Sequence, residues 1–228
     1  MRRFAVIGLG RFGQKLAIAL AMSGAEVIAI DKEREAVELI RDQVAHAVRL
    51  DSTDMEALRA QGIGDVDVAT VGIGQGTAQG FEAGVLTVVN LRQMGVEQIY
   101  ARAESLTAGE VFSKIGATEV IYPEIESAQR WAYRLIAPQI DEKIDVAPGY
   151  SLARVEAPAS FSGRTVKDLE LRQKYNVNLV LIKHNGAASG RKTERHSINV
   201  PMPDTIVQEG DILMVAGSDE DLARLPQE

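Results

Sequence analysis

The sequence contains no cysteine, few histidines and no long apolar run among its 228 residues. Without cysteine, disulfide bonds, thiolate nucleophiles and cysteine-ligated metal sites are excluded. The three histidines, His46, His184 and His196, are far apart in the sequence, so a zinc site built from histidines is not expected. A membrane-spanning helix needs roughly 20 consecutive apolar residues, and no stretch of the sequence has that character. We therefore expect neither a zinc site nor a membrane span.

Positive charge is also scarce. The 25 lysines and arginines are outnumbered by 32 aspartates and glutamates, which gives a formal net charge of −7. This charge disfavours binding to nucleic acid, so no nucleic-acid partner is expected. The short apolar run after Met1 is interrupted by Gly10 and Arg11, which predicts that it is not a signal peptide. These observations favour a soluble cytoplasmic protein, and the 46% hydrophobic content suffices for one or two folded domains.

Short apolar runs rich in β-branched residues alternate with helical stretches in the first half of the chain. Strands are predicted at 4–7, 27–30, 47–50, 68–71, 99–101 and 120–121, and helices at 11–22, 33–42, 54–60, 83–94 and 107–115. Alternation at this spacing predicts right-handed βαβ units and a parallel sheet that is covered on both faces. The predicted fold class is therefore α/β, with a Rossmann-like doubly wound parallel sheet followed by a small α+β C-terminal domain.

The sequence changes in character after Pro138. The preceding helix carries one apolar stripe, formed by Ala128, Trp131, Ala132, Leu135 and Ile136. The stretch 141–149 is polar and ends in Pro148-Gly149, which is typical of a domain boundary. Beyond it, strands are predicted at 152–155, 179–182 and 212–216, with a helix at 166–175 and a final helix capped by Ser218. We expect a nucleotide-binding domain at 1–138, including the striped helix, and a small ligand-binding domain at 145–228.

A GxGxxG motif, formed by Gly8, Gly10 and Gly13, follows the first predicted strand and begins the first predicted helix. In this context the first glycine permits a tight turn, the second lets the backbone approach a phosphate, and the third lets the helix and strand pack closely. The helix N-terminus offers N–H groups and partial positive charge to that phosphate. The motif predicts a bound nucleotide, although a turn without a ligand is the alternative. The residues next to its second glycine, Arg11 and Phe12, are included in the predicted site.

Acidic residues follow the second and third predicted strands. Asp31 ends the second strand about twenty residues after the glycines, where a carboxylate accepts hydrogen bonds from ribose hydroxyls and disfavours the 2′-phosphate of NADP. Lys32, the next residue, is included in the site. Asp51 and Ser52 follow the third strand, where the adenine of a Rossmann-bound nucleotide lies, and a carboxylate there can accept from an exocyclic amine. Alternatively, Ser52 or Thr53 caps the next helix.

A second glycine-rich segment follows the fourth predicted strand. It consists of Gly72, Ile73 and Gly74. The small residues allow the backbone to lie close to a ribose or a phosphate. A flexible turn at the edge of the sheet is the alternative interpretation.

Several longer motifs occur along the chain in a particular order. They are FAVIGLGRFG at 4–13, Asp31, LDSTD at 50–54, KIGATEVIYPE at 114–124 and PMPDTIVQEGDILMVAGS at 201–218. In this order they resemble the RCK (regulator of K⁺ conductance) family, and within it the cytosolic regulatory subunits of Trk/Ktr-type potassium transporters. The glycine-rich part is shared with all dehydrogenases, whereas the last two motifs are far more particular. The similarity covers nearly the whole chain.

The resemblance implies a function and a set of partners. Family members bind ATP, ADP or NAD(H), form homo-oligomers in which dimers assemble into an octameric ring, and gate a membrane-embedded potassium transporter subunit. The protein would therefore act in the cytoplasm, peripherally at the inner face of the cell membrane. Arg11 and Arg102 match basic residues that approach the phosphates, and Glu124 matches an acid that reaches a neighbouring subunit's γ-phosphate, with or without a cation such as Mg²⁺. The C-terminal domain would take a small ligand such as a cyclic dinucleotide.

The sequence also leaves competing interpretations open. Glu124 can be a helix N-terminal acid stabilised by the helix dipole, and Arg102 a solvated charge at a strand end. The alternative to a non-enzymatic regulatory subunit is an NAD-dependent oxidoreductase, which would need a His, Lys or Tyr supported by a carboxylate at the hydride site. No such pair stands out in the sequence. A transcription factor is disfavoured by the net charge and by the lack of a convincing helix-turn-helix pattern.

Overall fold

A computed structural model describes residues 2–73, 76–184 and 197–226 of the chain. The chain divides into two compact units, Met1–Glu126 and Ser127–Glu228, which are described separately below. None of the helices in the described ranges is both long and apolar enough to cross a membrane.

The first unit is built around six parallel strands. These are β1 (Arg3–Ile7), β2 (Glu26–Asp31), β3 (His46–Arg49), β4 (Val68–Val71), β5 (Gln98–Arg102) and β6 (Glu119–Ile121). The helices are α1 (Arg11–Met22), α2 (Arg34–Ile40), α3 (Met55–Ala60), α4 (Ala78–Gln93), α5 (Leu106–Ile115) and the first residues of α6 (Pro123–Ile136). The strand order β3-β2-β1-β4-β5-β6 confirms the predicted Rossmann-like fold. Helix α4 begins earlier than predicted because the Thr77 side chain caps it, accepting from Gly80 N at 3.1 Å.

Strand β1 lies in the middle of the sheet, and its side chains pack into the apolar clusters on both faces of the sheet. Successive side chains of a strand point to opposite sides, so Ile7 packs into one apolar cluster with Ile30, and Val6 packs into the other with Val27. Strand β1 pairs with β2 on one side and with β4 on the other, so strands 1 to 3 extend the sheet in one direction and strands 4 to 6 extend it in the other. In doubly wound sheets this reversal of strand order opens a crevice at the carboxyl ends of the strands, and ligands bind there.

The second unit contains an antiparallel sheet with the order β10-β9-β11-β8-β7. Its strands are β7 (Ile140–Ala147), β8 (Tyr150–Glu156), β9 (Asn178–His184), β10 (Ser197–Asn199) and β11 (Ile212–Ser218). The continuation of α6 precedes this sheet, and α7 (Val166–Leu169), α8 (Leu171–Lys174) and α9 (Asp219–Ala223) accompany it. A single apolar cluster, which includes Phe161, Leu169, Ile182, Leu213 and Leu222, forms the core of the unit.

Four features near or within the second unit bear on the expectations from the sequence. The polar stretch 141–149, expected to mark a domain boundary, mostly forms the edge strand β7, whose side chains are largely exposed and can therefore be polar. The two units divide after Glu126 rather than near 138. The helix predicted at 166–175 is two short helices, because Glu170 adopts a left-handed conformation with φ 49° between them. The predicted cap is confirmed, since Ser218 Oγ accepts from Asp221 N at 3.1 Å.

Candidate functional site

A cavity of about 850 Å³ lies in the first unit, at the carboxyl ends of the parallel strands. Most of the residues predicted for the nucleotide site line it. These are Gly8, Gly10, Arg11, Phe12, Asp31, Lys32, Asp51, Ser52, Gly72, Ile73, Arg102 and Glu124. Gly13 is buried and is not among the lining residues, and Gly74 falls outside the described residues. The topology therefore brings six separate segments of the sequence, each at or just beyond the end of a strand, to one crevice.

The glycines of the first turn have three different roles. Gly8 has φ +95°, and a Cβ there would lie 2.8 Å from the carbonyl carbon of Gly72. A Cβ at Gly13 would lie 1.9 Å from the carbonyl oxygen of Gly8, so this glycine lets α1 pack on the turn. Gly10 has no described atom within 4 Å of such a Cβ, and it begins α1 without a side-chain cap. Gly10 therefore lies beside open space at the partially positive N-terminus of α1. This environment suits a phosphate.

Asp31 connects the glycine turn to the end of β2. Its Oδ2 accepts a hydrogen bond from Leu9 N at 2.6 Å, and its Oδ1 accepts one from Glu33 N at 2.9 Å. An ionised carboxylate has about four acceptor positions, so each oxygen retains capacity for another donor. The half-buried carboxylate can thus hold the turn and accept from ribose hydroxyls at the same time.

Asp51 lies at the neighbouring rim of the cavity. Its Oδ1 accepts from Thr53 N at 3.0 Å and from Thr53 Oγ1 at 2.8 Å. These two hydrogen bonds, with a smaller contribution from the charge of Lys32, lower the pKa of Asp51 below its usual value. Asp51 is therefore a carboxylate at neutral pH, and its other oxygen can accept from an amine of a bound base.

The side chain that caps α3 is Asp54, which accepts from Glu56 N at 3.0 Å and from Ala57 N at 3.1 Å. The alternative that Ser52 or Thr53 caps this helix is therefore wrong. Ser52 is instead buried, and its hydroxyl lies 2.7 Å from that of Thr87 on α4.

Sequence reasoning missed the residues that hold this loop in place. Asn90, one turn beyond Thr87 on α4, donates through Nδ2 to the carbonyl oxygens of Ser52 and Thr53 at 3.3 and 3.0 Å. Lys15 was also missed, although it lines the cavity and lies one turn after Arg11 on the same face of α1. The i,i+4 spacing of two cations was a signal for Lys15, whereas the contacts of Asn90 depend on the tertiary fold.

Arg102 and Glu124 form an ion pair in the wall of the cavity. Arg102 Nη2 lies 2.5 Å from Glu124 Oε1, and the side chains are 14% and 64% exposed, respectively. Arg102 ends β5 and Glu124 is the second residue of α6. The interpretation of Arg102 as a solvated strand-end charge is therefore wrong, since it is mostly buried and paired. Glu124 does lie in the first turn of a helix, but its carboxylate is directed to a specific cation.

The charges around the cavity suit an anionic nucleotide. Arg11, Lys15 and Arg102 join the helix N-terminus as positive groups, while Asp31 and Asp51 supply carboxylates. Within residues 2–73, 76–184 and 197–226, no group of three or more histidine, aspartate or glutamate side chains could hold a metal ion. A divalent cation at Glu124 would therefore take most of its oxygen ligands from the nucleotide and from water.

A second cavity, of about 690 Å³, lies in the C-terminal unit beside α7, α8 and the start of β9. Its cationic lining residues are Arg164, Lys167, Arg172 and Lys174, its acidic ones are Asp168 and Glu170, and its apolar ones include Val166, Leu171, Leu179 and Pro201. Lys174 Nζ lies 2.9 Å from Glu170 Oε2, whereas Arg172 is fixed through Nε, which lies 2.8 Å from Asn178 Oδ1. The excess of cations over carboxylates, together with the apolar side chains, suits a ligand that combines flat bases with phosphate groups.

Comparison with known proteins agrees with both units. The model of the TrkA-N domain family matches residues 4–123, and that of the TrkA-C domain family matches residues 151–226. "Ktr system potassium uptake protein C" of Bacillus subtilis (strain 168) is 33% identical over 223 residues, covering 98% of this chain and 95% of the relative. "Ktr system potassium uptake protein A" of the same organism is 30% identical over 227 residues, covering 100% and 96%.

Among solved structures, a crystal structure of the GsuK RCK domain has a similar fold. The TM-score is 0.60 at 17% sequence identity, and the match covers 98% of this chain but 46% of that longer chain. At this identity the similarity concerns the fold alone.

Proposed function

The chain belongs to the family of proteins built from a TrkA-N and a TrkA-C domain, and from this premise we propose that it is the nucleotide-sensing regulatory subunit of a Ktr/Trk-type potassium uptake system. Its ligand is ATP, ADP or NAD(H), bound in the cavity of the first unit. The observation that carries this proposal is the junction of the glycine turn with Asp31, where an open helix N-terminus and a ribose acceptor lie within one crevice.

The site residues divide along the nucleotide. Gly10, Arg11 and Phe12 bind the phosphates, and Asp31 with Lys32 binds the ribose next to the adenine. Asp51 and Ser52 flank the base, while Gly72 and Ile73 let the ligand lie against the end of β4. Support comes from their common position on one cavity of about 850 Å³, which falls in the ordinary size range of small-molecule sites.

The membrane partner is a potassium transporter subunit, and the protein acts on it as a homo-oligomer from the cytoplasmic side. Two relatives that align along nearly their whole length carry the name of potassium uptake proteins. Helix α6 supports an oligomer, since Trp131, Leu135 and Ile136 on it are 52%, 77% and 76% exposed. Apolar side chains aligned on one helix face are typical of a subunit contact. We propose that dimers formed in this way assemble into the octameric ring of the family.

Glu124 is the proposed cation ligand in an ATP complex. Mg²⁺ is usually held by one or two carboxylates together with phosphate oxygens, and Glu124 lies on the cavity wall beside Arg102. When bound, the ion would neutralise the repulsion between this carboxylate and a γ-phosphate. This arrangement makes cation dependence a property of ATP more than of ADP.

The second cavity is the proposed site of a cyclic dinucleotide. Its cationic residues can pair with phosphates, and its apolar residues can contact bases. Arg172 and Asn178 are held together by a hydrogen bond at its edge, which presents a fixed guanidinium to an anion.

The alternative function is an NAD-dependent oxidoreductase, because Rossmann folds serve both classes of protein. Two measurements separate the proposals. Calorimetric titration with ATP, ADP and NADH, together with the absorbance of NADH over a substrate panel, is expected to give binding without turnover. Co-expression with the cognate membrane subunit is expected to give potassium flux that depends on the nucleotide. Substrate-dependent oxidation of NADH, or flux that is indifferent to every nucleotide, would overturn the regulatory role.

A further inference from the structure

The ion pair between Arg102 and Glu124 lies in the wall of the proposed nucleotide cavity. Both side chains line the cavity, and their 2.5 Å contact joins the end of β5 to the first turn of α6. Arg102 is 14% exposed, so little of its surface remains for a ligand to approach, whereas Glu124 is 64% exposed. The carboxylate is therefore the member of the pair that can turn away into solvent, while the guanidinium remains in the cavity wall.

We infer that the Glu124 carboxylate occupies the place of a ligand phosphate at Arg102, so that a nucleotide whose phosphate chain reaches Arg102 binds by displacing Glu124. The inference rests on the proposed function, because it takes the ligand of this cavity to be a nucleotide. The groups it concerns are the phosphates beyond the α-phosphate. An adenosine without phosphates fills the ribose and base positions and leaves the pair intact.

Charge explains why the two anions exclude each other. A phosphate bound to Arg102 would lie beside the Glu124 carboxylate, and two negative charges that share one cation repel each other strongly. A phosphate carries more charge than a carboxylate and can accept two parallel hydrogen bonds from a guanidinium. The existing pair is weak by comparison, because an ion pair with one exposed member contributes little free energy. Displacement by phosphate is therefore favourable, although the pair reduces the net affinity.

The displacement has a consequence for α6. Glu124 is its second residue, and the same helix carries the exposed Trp131 and Leu135. When a phosphate binds Arg102, the ion pair between β5 and the first turn of α6 is broken. The released Glu124 carboxylate then becomes available to a cation or to another subunit. Ligand occupancy is thereby coupled to the start of the helix proposed to join subunits.

The experiment is a set of calorimetric titrations of the full chain with ADP and with adenosine, in the presence of EDTA so that divalent cations do not contribute. The variants are Glu124→Gln, which keeps the shape of the side chain but loses its charge, and Glu126→Gln as the matched control. Glu126 belongs to the same first turn and does not line the cavity. Its contact with Tyr122 N, at 3.3 Å through Oε1, can be made by a glutamine oxygen as well.

We expect Glu124→Gln to bind ADP about threefold to tenfold more tightly than wild type, the range expected from losing one weak competing ion pair. Adenosine affinity is expected to stay unchanged, and Glu126→Gln is expected to shift ADP affinity by less than about twofold. Wild-type protein that binds ADP, with a Glu124→Gln variant that binds it equally or more weakly, would overturn the inference and leave the proposed function intact. Equal tightening in Glu126→Gln would also overturn it, as a general charge effect. Failure of the wild type to bind any adenine nucleotide would overturn the proposed function and this inference together.

Discussion

A Cβ atom on Gly13 would lie 1.9 Å from the carbonyl oxygen of Gly8. The distance is far below van der Waals contact, and the obstructing atom belongs to the main chain of a turn that is itself packed on Gly72. Helix α1 can thus pack this closely on the glycine turn only because Gly13 has no side chain. The position of the helix N-terminus, and with it the phosphate site, depends on this close approach.

We expect Gly13→Ala to destabilise the first unit by about 2 kcal/mol or more, the order of magnitude for overpacking against a rigid neighbour. Thermal unfolding followed by circular dichroism measures the change. Gly10→Ala is the control, because no described atom lies within 4 Å of its Cβ. That variant should lose no more than about 1 kcal/mol, the cost of an alanine at a helix N-cap, but bind ADP more weakly, since the methyl group projects into the cavity. Equal stability of Gly13→Ala and wild type would contradict the packing role.

Asp31→Ala is expected to weaken ADP binding at least tenfold. The variant loses the ribose acceptor and also the acceptor for Leu9 N, and hydrogen bonds to a charged group are each worth about 1–3 kcal/mol. Asp31→Asn, which retains one oxygen acceptor, should lose less. Titration calorimetry compares both with Asp42→Ala, an exposed aspartate that does not line the cavity. A folded Asp31→Ala protein with unchanged affinity would remove Asp31 from the site.

Mg²⁺ is expected to strengthen ATP binding about tenfold, equivalent to ~1.4 kcal/mol, and to have a much smaller effect on ADP. The reason is that Arg102 balances the charge of the β-phosphate that both nucleotides carry, whereas the additional γ-phosphate of ATP meets the displaced Glu124 carboxylate, where a cation can relieve the repulsion between them. Glu124→Gln should remove most of this difference. Titrations of both nucleotides with and without the ion make the comparison, and equal effects of the ion on ATP and ADP would exclude Glu124 as its ligand.

The sequence was informative wherever function depends on the ends of parallel strands. Gly8, Asp31, Asp51 and Gly72 each follow a predicted strand, and carboxyl ends of neighbouring parallel strands meet at one edge of the sheet. Their common cavity followed from topology alone. The roles of Arg102 and Glu124 came instead from the family resemblance, because no spacing rule connects the end of β5 with the start of α6.

Other features could not be read from local pattern. The edge strand β7 has a polar sequence because most of its side chains face solvent, so it has the composition of a linker. Asn90 fixes the Ser52–Thr53 backbone across 37 or 38 positions of sequence, a contact that only the tertiary fold creates. The left-handed conformation of Glu170 divides a helix where no glycine or proline marks a break.

The apolar face of α6 predicts how the oligomer responds to a charge. Trp131 is 52% exposed, and the Arg134 guanidinium lies 5.4 Å from the centre of its ring. We expect Trp131→Glu to convert the protein to smaller species in light scattering, because a carboxylate cannot be buried in an apolar subunit contact without a partner. Leu39→Glu is the control, since Leu39 is an exposed apolar residue on α2, and it should leave the size unchanged. A wild-type protein that is already monomeric would refute the proposed oligomer.

The C-terminal unit contains a half-buried ammonium group, that of Lys143, between two carboxylates. Lys143 Nζ lies 2.9 Å from both Asp145 Oδ1 and Asp219 Oδ2. Ser151 Oγ lies 3.1 Å from Asp145 Oδ1 and 2.6 Å from Asp219 Oδ1, so its single hydroxyl hydrogen is shared between the two carboxylates. Hydrogen bonds from Lys143 and Ser151 lower the pKa of Asp145. Burial tends to raise the pKa of Asp219, but hydrogen bonds from Ser151 and Lys143 outweigh it and the pKa is lowered. Both acids are therefore stabilised as carboxylates in the folded state.

These shifts determine how stability responds to acid. A carboxyl group whose pKa is lower in the folded than in the unfolded state stabilises the fold at pH above its unfolded pKa, here near 3.8, and loses that contribution as the pH falls through the folded pKa. In Lys143→Met the ammonium is absent and the burial of Asp219 is no longer offset, so the acids are protonated at higher pH. We expect the acid unfolding midpoint, followed by circular dichroism, to move to higher pH than in wild type. The free energy of unfolding at neutral pH should fall by about 1 kcal/mol or less, because both carboxylates are partly exposed and solvent screens their charges. Lys167→Met, which removes an exposed lysine of the same unit, should leave the midpoint in place. An equal midpoint in Lys143→Met and wild type would show that the carboxylates draw their stabilisation from Ser151 rather than from the ammonium.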